Sequence, residues 1–124
     1  MMNPDIRDQA YQFFIEEAPE LLQIIETGLL TLKEERNKAT VHEIMRAAHS
    51  IKGGAASVEL NTIKILSHRL EDIFKALYDE TVIIDDDLES LLLEAFDRLR
   101  DPLEEQMTTG SFDEEQAITT ALPV

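Results

Sequence analysis

Four stretches of this chain repeat apolar residues at spacings of three and four, and that period leaves little choice of fold. The first runs through Ile6, Ala10, Phe13, Phe14, Ala18, Leu21, Leu22, Ile25, Leu29 and Leu32. The second is Val41, Ile44, Ala48, Ile51 and Ala55, and the third is Ile63, Leu66, Leu70, Ile73, Phe74 and Leu77. The fourth is Leu88, Leu91, Leu92, Ala95, Phe96, Leu99 and Leu103. Such a stripe hides from water only as one face of a helix. Alternation of period two is confined to the weak run Thr81-Val82-Ile83-Ile84, read as the loop before the fourth helix. Four amphipathic helices with short connections predict an all-α, antiparallel up-down four-helix bundle. Glycine and proline, four of each, are too sparse for an all-β chain.

Local signals place the helix ends. Asn3-Pro4 reads as a cap and first turn. Pro19 removes a backbone donor and predicts a kink or break near Ala18. Arg36 to Ala39 reads as a loop, and Thr40 with Glu43 as a capping box opening the second helix. Asn61 is the expected cap of the third helix, and Asp85-Asp86-Asp87 opens the fourth, which Pro102 is expected to kink near its end. Ser111-Phe112-Asp113-Glu114 is a second capping box, predicting a short fifth helix from Phe112 to about Ala121. Leu122-Pro123-Val124 reads as the start of a linker in a larger protein. The expected division is residues 1–108 for the bundle and 109–124 for the fifth helix and linker.

Composition excludes several functions. The chain has 124 residues, 44% of them hydrophobic, enough for one domain with one core. Its net charge of −15 repels phosphate backbones and anionic lipid, so nucleic acid and membranes are not expected partners. It has no cysteine, and therefore no disulfide, thiolate nucleophile or cysteine-type zinc site. No apolar run approaches the ~18 residues of a membrane span, and the opening residues do not read as a signal peptide. A cytoplasmic location is the expectation. The charge is uneven: residues 46–75 carry net +2 and the remainder −17. A locally positive stretch suits an anionic group carried by a side chain there, or an acidic partner.

Within that stretch, His49 is followed at one helical turn by Lys52 and then by Gly53 and Gly54. Each glycine costs about 1 kcal/mol relative to alanine inside a helix, so the pair needs a reason. Either Gly53 is the left-handed cap of a helix end, or a partner must approach the backbone beside His49. At 100° per residue, His49 lies about 100° from Ala48, on the rim of the apolar arc. Gly53 and Ala56 then leave a low wall beside the imidazole. Lys52 sits between rim and core, where its stem covers apolar surface and its ammonium stays near His49. On the third helix His68, Glu71 and Lys75 form one polar stripe, and the rim positions allow antiparallel packing to bring Glu71 beside His49, a contact that spacing alone does not prove. Two bland readings stand beside these. His42 has no partner pattern, and the apolar stripes are core. A metal–carboxylate bundle needs Glu-x-x-His pairs; Ala39, Arg46 and Ile65 stand three residues before the histidines, so that motif is absent.

The stretch Arg46 to Ala56 closely resembles the histidine phosphotransfer (HPt) motif, most like the N-terminal phosphotransfer domain of CheA-type chemotaxis and phototaxis kinases. Phe14-Ile15-Glu16-Glu17-Ala18, Glu20-Leu21-Leu22 and His68-Arg69-Leu70-Glu71-Asp72 extend the resemblance over roughly residues 5 to 105. It implies that His49 is the phosphoacceptor, that Glu71 accepts a hydrogen bond from its Nδ1, and that Lys52, offsetting phosphoryl charge, and His68 belong to the same polar cluster. Gly53 and Ala56 would be docking positions. The partners implied are a histidine-kinase catalytic domain, which holds the ATP and Mg, and a response-regulator receiver whose aspartate takes the phosphoryl group. The isolated domain would be a monomeric carrier rather than an enzyme, with no cofactor or metal of its own. A free-standing phosphorelay carrier, or a helical adaptor or dimerisation module without chemistry, is the alternative. Ile65, off the apolar arc, suits a dimer or a receiver interface. Many relatives carry glycine where this chain has Glu59, in the turn before the third helix.

Overall fold

The computed structural model describes residues 4–79 and 81–121, with side chains from residue 8 onward. Asn3, the side chain of Ile6 and the Leu122-Pro123-Val124 end lie outside the described residues. Five helices follow in order: α1 Pro4–Glu34, α2 Lys38–Ser57, α3 Asn61–Ala76, α4 Asp86–Thr109 and α5 Glu114–Ala121. Among the described residues there is no strand, and Thr81 to Ile84 is loop.

The first four helices form a ring: α2 packs between α1 and α3, and α4 closes it against both. Cross-links at opposite ends fix the antiparallel sense. Tyr11, early in α1, meets Gln106, late in α4, while Lys33 at the end of α1 pairs with Asp86 and Glu89 at the start of α4. His42 near the start of α2 meets Tyr78 just beyond α3. The fold is the expected antiparallel four-helix bundle. The interior is built from the stripes: Ala18, Ile25, Ile44, Ala48, Ile51, Ile63, Phe74 and Leu103 are all fully buried. Two stripe members leave it. Phe13 stands 67% exposed, about 140° round α1 from Ala18, and Leu91 is 54% exposed, about 100° from the buried Leu92.

The helix ends differ from expectation in instructive ways. Asn37, not Thr40, caps α2: its backbone is extended and its Oδ1 accepts from the Thr40 amide at 2.7 Å. The α2 helix thus starts earlier, and Thr40 is already inside it. The α3 helix begins at Asn61 itself, with Leu60 in the cap position and no side-chain cap. Asp85 caps α4 through the Leu88 amide at 2.8 Å. For α5 the cap is Asp113, which accepts from the Gln116 amide at 3.0 Å, so the helix starts after Phe112 rather than at it. The asparagine or aspartate able to take the amide three residues on wins over the Ser/Thr-x-x-Glu pattern at both sites.

Neither proline breaks its helix. The α1 helix continues through Pro19 and α4 through Pro102. A mid-helix proline costs about 3 kcal/mol, but Leu22, Ile25, Leu29 and Leu32 beyond Pro19 are buried, each worth about 1.5–3 kcal/mol. Packing of the distal stripe outweighs the proline. Gly110, in the left-handed region at φ 84°, ends α4 with its N–H on the Gln106 carbonyl. The α5 helix then lies against α3 and α4, with Ala121 buried and Thr62 donating to Glu114 at 3.2 Å.

Candidate functional site

The glycine pair lies well inside α2, which runs on to Ser57, so Gly53 is not a helix cap. The two glycines do different work. A Cβ on Gly54 would sit 2.5 Å from Cδ1 of the Phe14 ring, so Gly54 lets α1 seat closely on α2. A Cβ on Gly53 would meet nothing within 4 Å. Gly53 and Ala56 are exposed, and neither raises a wall beside His49. Of the two readings of the pair, the open approach describes Gly53 and helix packing describes Gly54. The contact with Phe14 is the feature sequence reasoning missed, and the second glycine was its signal.

His49 stands on the rim where α2 faces α3, its side chain 65% exposed. Its Nδ1 lies 2.8 Å from Oε2 of Glu71, and Nζ of Lys52 donates to the other oxygen, Oε1, at 2.6 Å. The Glu71 side chain is only 8% exposed and that of Lys52 24%. One buried carboxylate thus takes a bond on each oxygen from two residues one helical turn apart on the facing helix. Burial pushes the Glu71 carboxyl up, but hydrogen bonds and charge from Lys52 and His49 outweigh it and hold the group below its ordinary value. Glu71 is therefore ionised at neutral pH and can only accept. Nδ1 must donate, and in the neutral ring the free lone pair is on Nε2. Nε2 has no hydrogen bond among the described residues.

The arrangement thus presents a nucleophilic nitrogen outward and anchors the opposite ring nitrogen. Lys52 balances the buried carboxylate, its ammonium held on Glu71 beside His49. His68 does not join the cluster. It stands 60% exposed with Nε2 3.7 Å from Oδ2 of Asp72, one turn further along α3. At 100° per residue it lies about 60° from Glu71, far enough to turn its ring off the His49 contact. Ile65 is 48% exposed, off the arc as its position indicated. His42 has a partner after all, Tyr78 Oη at 2.9 Å from its Nδ1. No group of three or more histidines and acids able to hold a metal occurs among the described residues, and none of their helices is long and apolar enough to cross a membrane.

Comparison with known proteins bears on this geometry. The family model of the Hpt domain matches residues 9–102. The chemotaxis protein CheA of Borreliella burgdorferi is 38% identical over 91 residues, which is 73% of this chain and 10% of that protein. CheA of Treponema pallidum is 33% identical over 103 residues, 82% of this chain and 13% of that protein. The chain thus spans only about a tenth to an eighth of the length of these relatives. Among solved structures, the phosphorylated P1 domain of CheA3 in complex with CheY6 from R. sphaeroides superposes with a TM-score of 0.73 at 26% identity. That match covers 92% of this chain and 93% of the other.

Proposed function

This chain belongs to the Hpt domain family, and from that premise we propose that His49 is its phosphoacceptor. The observation that carries the assignment is the exposed imidazole whose Nδ1 is tied to the buried, ionised Glu71. Nε2 attacks the γ-phosphorus of ATP held by a separate histidine-kinase domain. A P–N bond forms, the bond to the β-phosphate oxygen breaks, and ADP leaves. Glu71 holds the ring in the reactive tautomer and stabilises positive charge as the ring is phosphorylated, as carboxylates do for metal-bound histidines. Lys52 keeps Glu71 anionic and adds positive charge near the phosphoryl group. His68, turned toward Asp72, stands outside this contact.

In the second step a receiver-domain aspartate attacks the phosphorus, the P–N bond breaks, and Nε2 regains its lone pair. Phosphoryl transfer depends on positioning and charge stabilisation, and here the kinase and receiver clefts supply most of both, ATP and Mg included. The open flank at Gly53 and Ala56 lets such a cleft close to in-line distance. The chain is then a phosphoryl carrier acted on by other catalysts, not itself an enzyme. The identity with CheA proteins far longer than this chain supports its placement as the phosphotransfer segment of a cytoplasmic CheA-type kinase rather than a free-standing carrier. The CheA3 domain in complex with CheY6 supports a receiver as the second partner.

The test is incubation with a CheA kinase core and labelled ATP, comparing the wild type with His49→Gln. The expected result is acid-labile, base-stable label on the wild type alone, with both proteins equally folded. Equal labelling of the two would remove His49 from the chemistry.

A further inference from the structure

The cations of this acidic chain divide sharply by whether they have partners. Lys33 pairs with Asp86 and Glu89, Lys52 with Glu71, Arg98 with Glu94, and Arg100 with Glu26 and Asp97. Arg36 donates to the carbonyls of Leu77 and Asp79, and Lys38 is engaged as well. Among residues with described side chains, only Arg46, Lys64, Arg69 and Lys75 have neither ion pair nor side-chain hydrogen bond. In a chain with 26 acids and 11 basic residues, cations left without acids are unexpected, since acids to pair with are abundant.

Three of the four share the face that carries His49. Arg46 precedes His49 by three residues on α2. Lys64 and Lys75 lie seven before and four after Glu71 on α3, about 20° and 40° from it round the helix. Along their helices they stand about 5, 10 and 6 Å from the site, within roughly one Debye length at moderate salt. On this face Glu71 holds His49 and Lys52, and Asp72 lies 3.7 Å from His68 rather than on a lysine or arginine. Arg69 is different. It lines the cleft between α3, α4 and α5 with Leu66, Leu70 and Ala95, away from His49.

We propose that Arg46, Lys64 and Lys75 form an electrostatic docking ring around His49 for an acidic protein surface, that of the receiver domain. This rests on the phosphotransfer reading above and adds what that reading does not contain, the charge of the partner and the residues that meet it. The cations from Lys64 to Lys75 span about 16 Å of α3, the scale of a protein surface rather than of one phosphate group. The rest of the chain, at −17, repels the same partner everywhere else, so encounters are oriented toward His49 before contact. A phosphoryl group on Nε2 brings roughly −1.5 to −2. The three free cations exceed that, so the face does not become repulsive once loaded.

The test separates this proposal from the phosphoacceptor reading. His49 is loaded chemically with phosphoramidate, which needs no protein partner, and transfer to CheY6 is then followed on protein already loaded. The variants are the triple Arg46→Gln/Lys64→Gln/Lys75→Gln and, as the free cation off the face, Arg69→Gln. At about 50 mM salt the triple variant should transfer about tenfold more slowly than the wild type, with the difference shrinking to about twofold or less near 500 mM. Arg69→Gln should track the wild type at both. Equal rates and equal salt dependence for triple variant and wild type would overturn the docking ring, as would an equal loss in Arg69→Gln. Failure of wild-type His49 to take label from phosphoramidate would instead overturn the phosphoacceptor reading.

Discussion

At the scale of single residues the site is a division of labour around one carboxylate. Glu71 gives one oxygen to His49 and the other to Lys52, so the imidazole is oriented without being buried. Because the folded protein holds the Glu71 carboxyl below its ordinary value, the unfolded chain binds its proton more tightly. The stability this contributes is complete above the unfolded-state range, near pH 4.3 for glutamate, and is lost as pH falls through the lower folded-state value. Thermal melts should therefore show the wild type losing more stability than Glu71→Gln as pH drops below about 4.3. Parallel curves would mean the carboxylate is not stabilised by its partners. The glycines give a second contrast. Gly54→Ala must displace the Phe14 ring, and overpacking of this kind costs about 1–3 kcal/mol. Gly53→Ala meets no atom and should gain about 1 kcal/mol of helix stability, while slowing transfer to a receiver by adding bulk beside His49. Melting temperatures moving in opposite directions, with transfer slower in Gly53→Ala, is the expected pair of results.

At the scale of elements, the turn between α2 and α3 stores strain. Glu59 has φ 64°, and it is the only residue other than glycine in the left-handed region among those described. Val58 and Leu60 return their amides to the Gly54 and Ala55 carbonyls, so the turn is closed by the end of α2 whatever residue stands at its centre. A side chain held there costs about 1–2 kcal/mol, part of which glycine gives back by loosening the unfolded chain. Glu59→Gly should thus stabilise the bundle by about 0.5–1 kcal/mol, raising the melting temperature by about 2–5 °C. A lowered melting temperature would show that the glutamate side chain is worth more than the strain.

At the scale of the whole molecule, the ring of helices brings together groups from distant parts of the chain, His49 with Glu71 and Tyr11 with Gln106. The net charge of −15 acts against that compaction. Added salt should screen it, and raising sodium chloride from about 20 to 300 mM at neutral pH should raise the melting temperature by a few degrees. A fall would mean that the ion pairs between helices, such as Arg100 with Glu26, outweigh the overall repulsion.

Much of this molecule is legible in one dimension, because burial on a helix imposes a period that survives in the sequence. The stripes alone determine four amphipathic helices. The adjacency of His49, Lys52 and two glycines, in a stretch of positive net charge within an acidic chain, marks the candidate site. What periodicity cannot carry is choice between near-equal local options and contact between helices. Continuation through Pro19 and Pro102 and the exposure of Phe13 were decided by packing, while the choice of Asn37 over Thr40 as cap was decided by which side chain reaches the free amide. The attachment of Glu71 to both His49 and Lys52, the separation of His68 from them, and the different duties of Gly53 and Gly54 were also decided only in three dimensions. Each depends on the rotation of one helix against its neighbour, a quantity fixed by the whole core and written in no single segment of the chain.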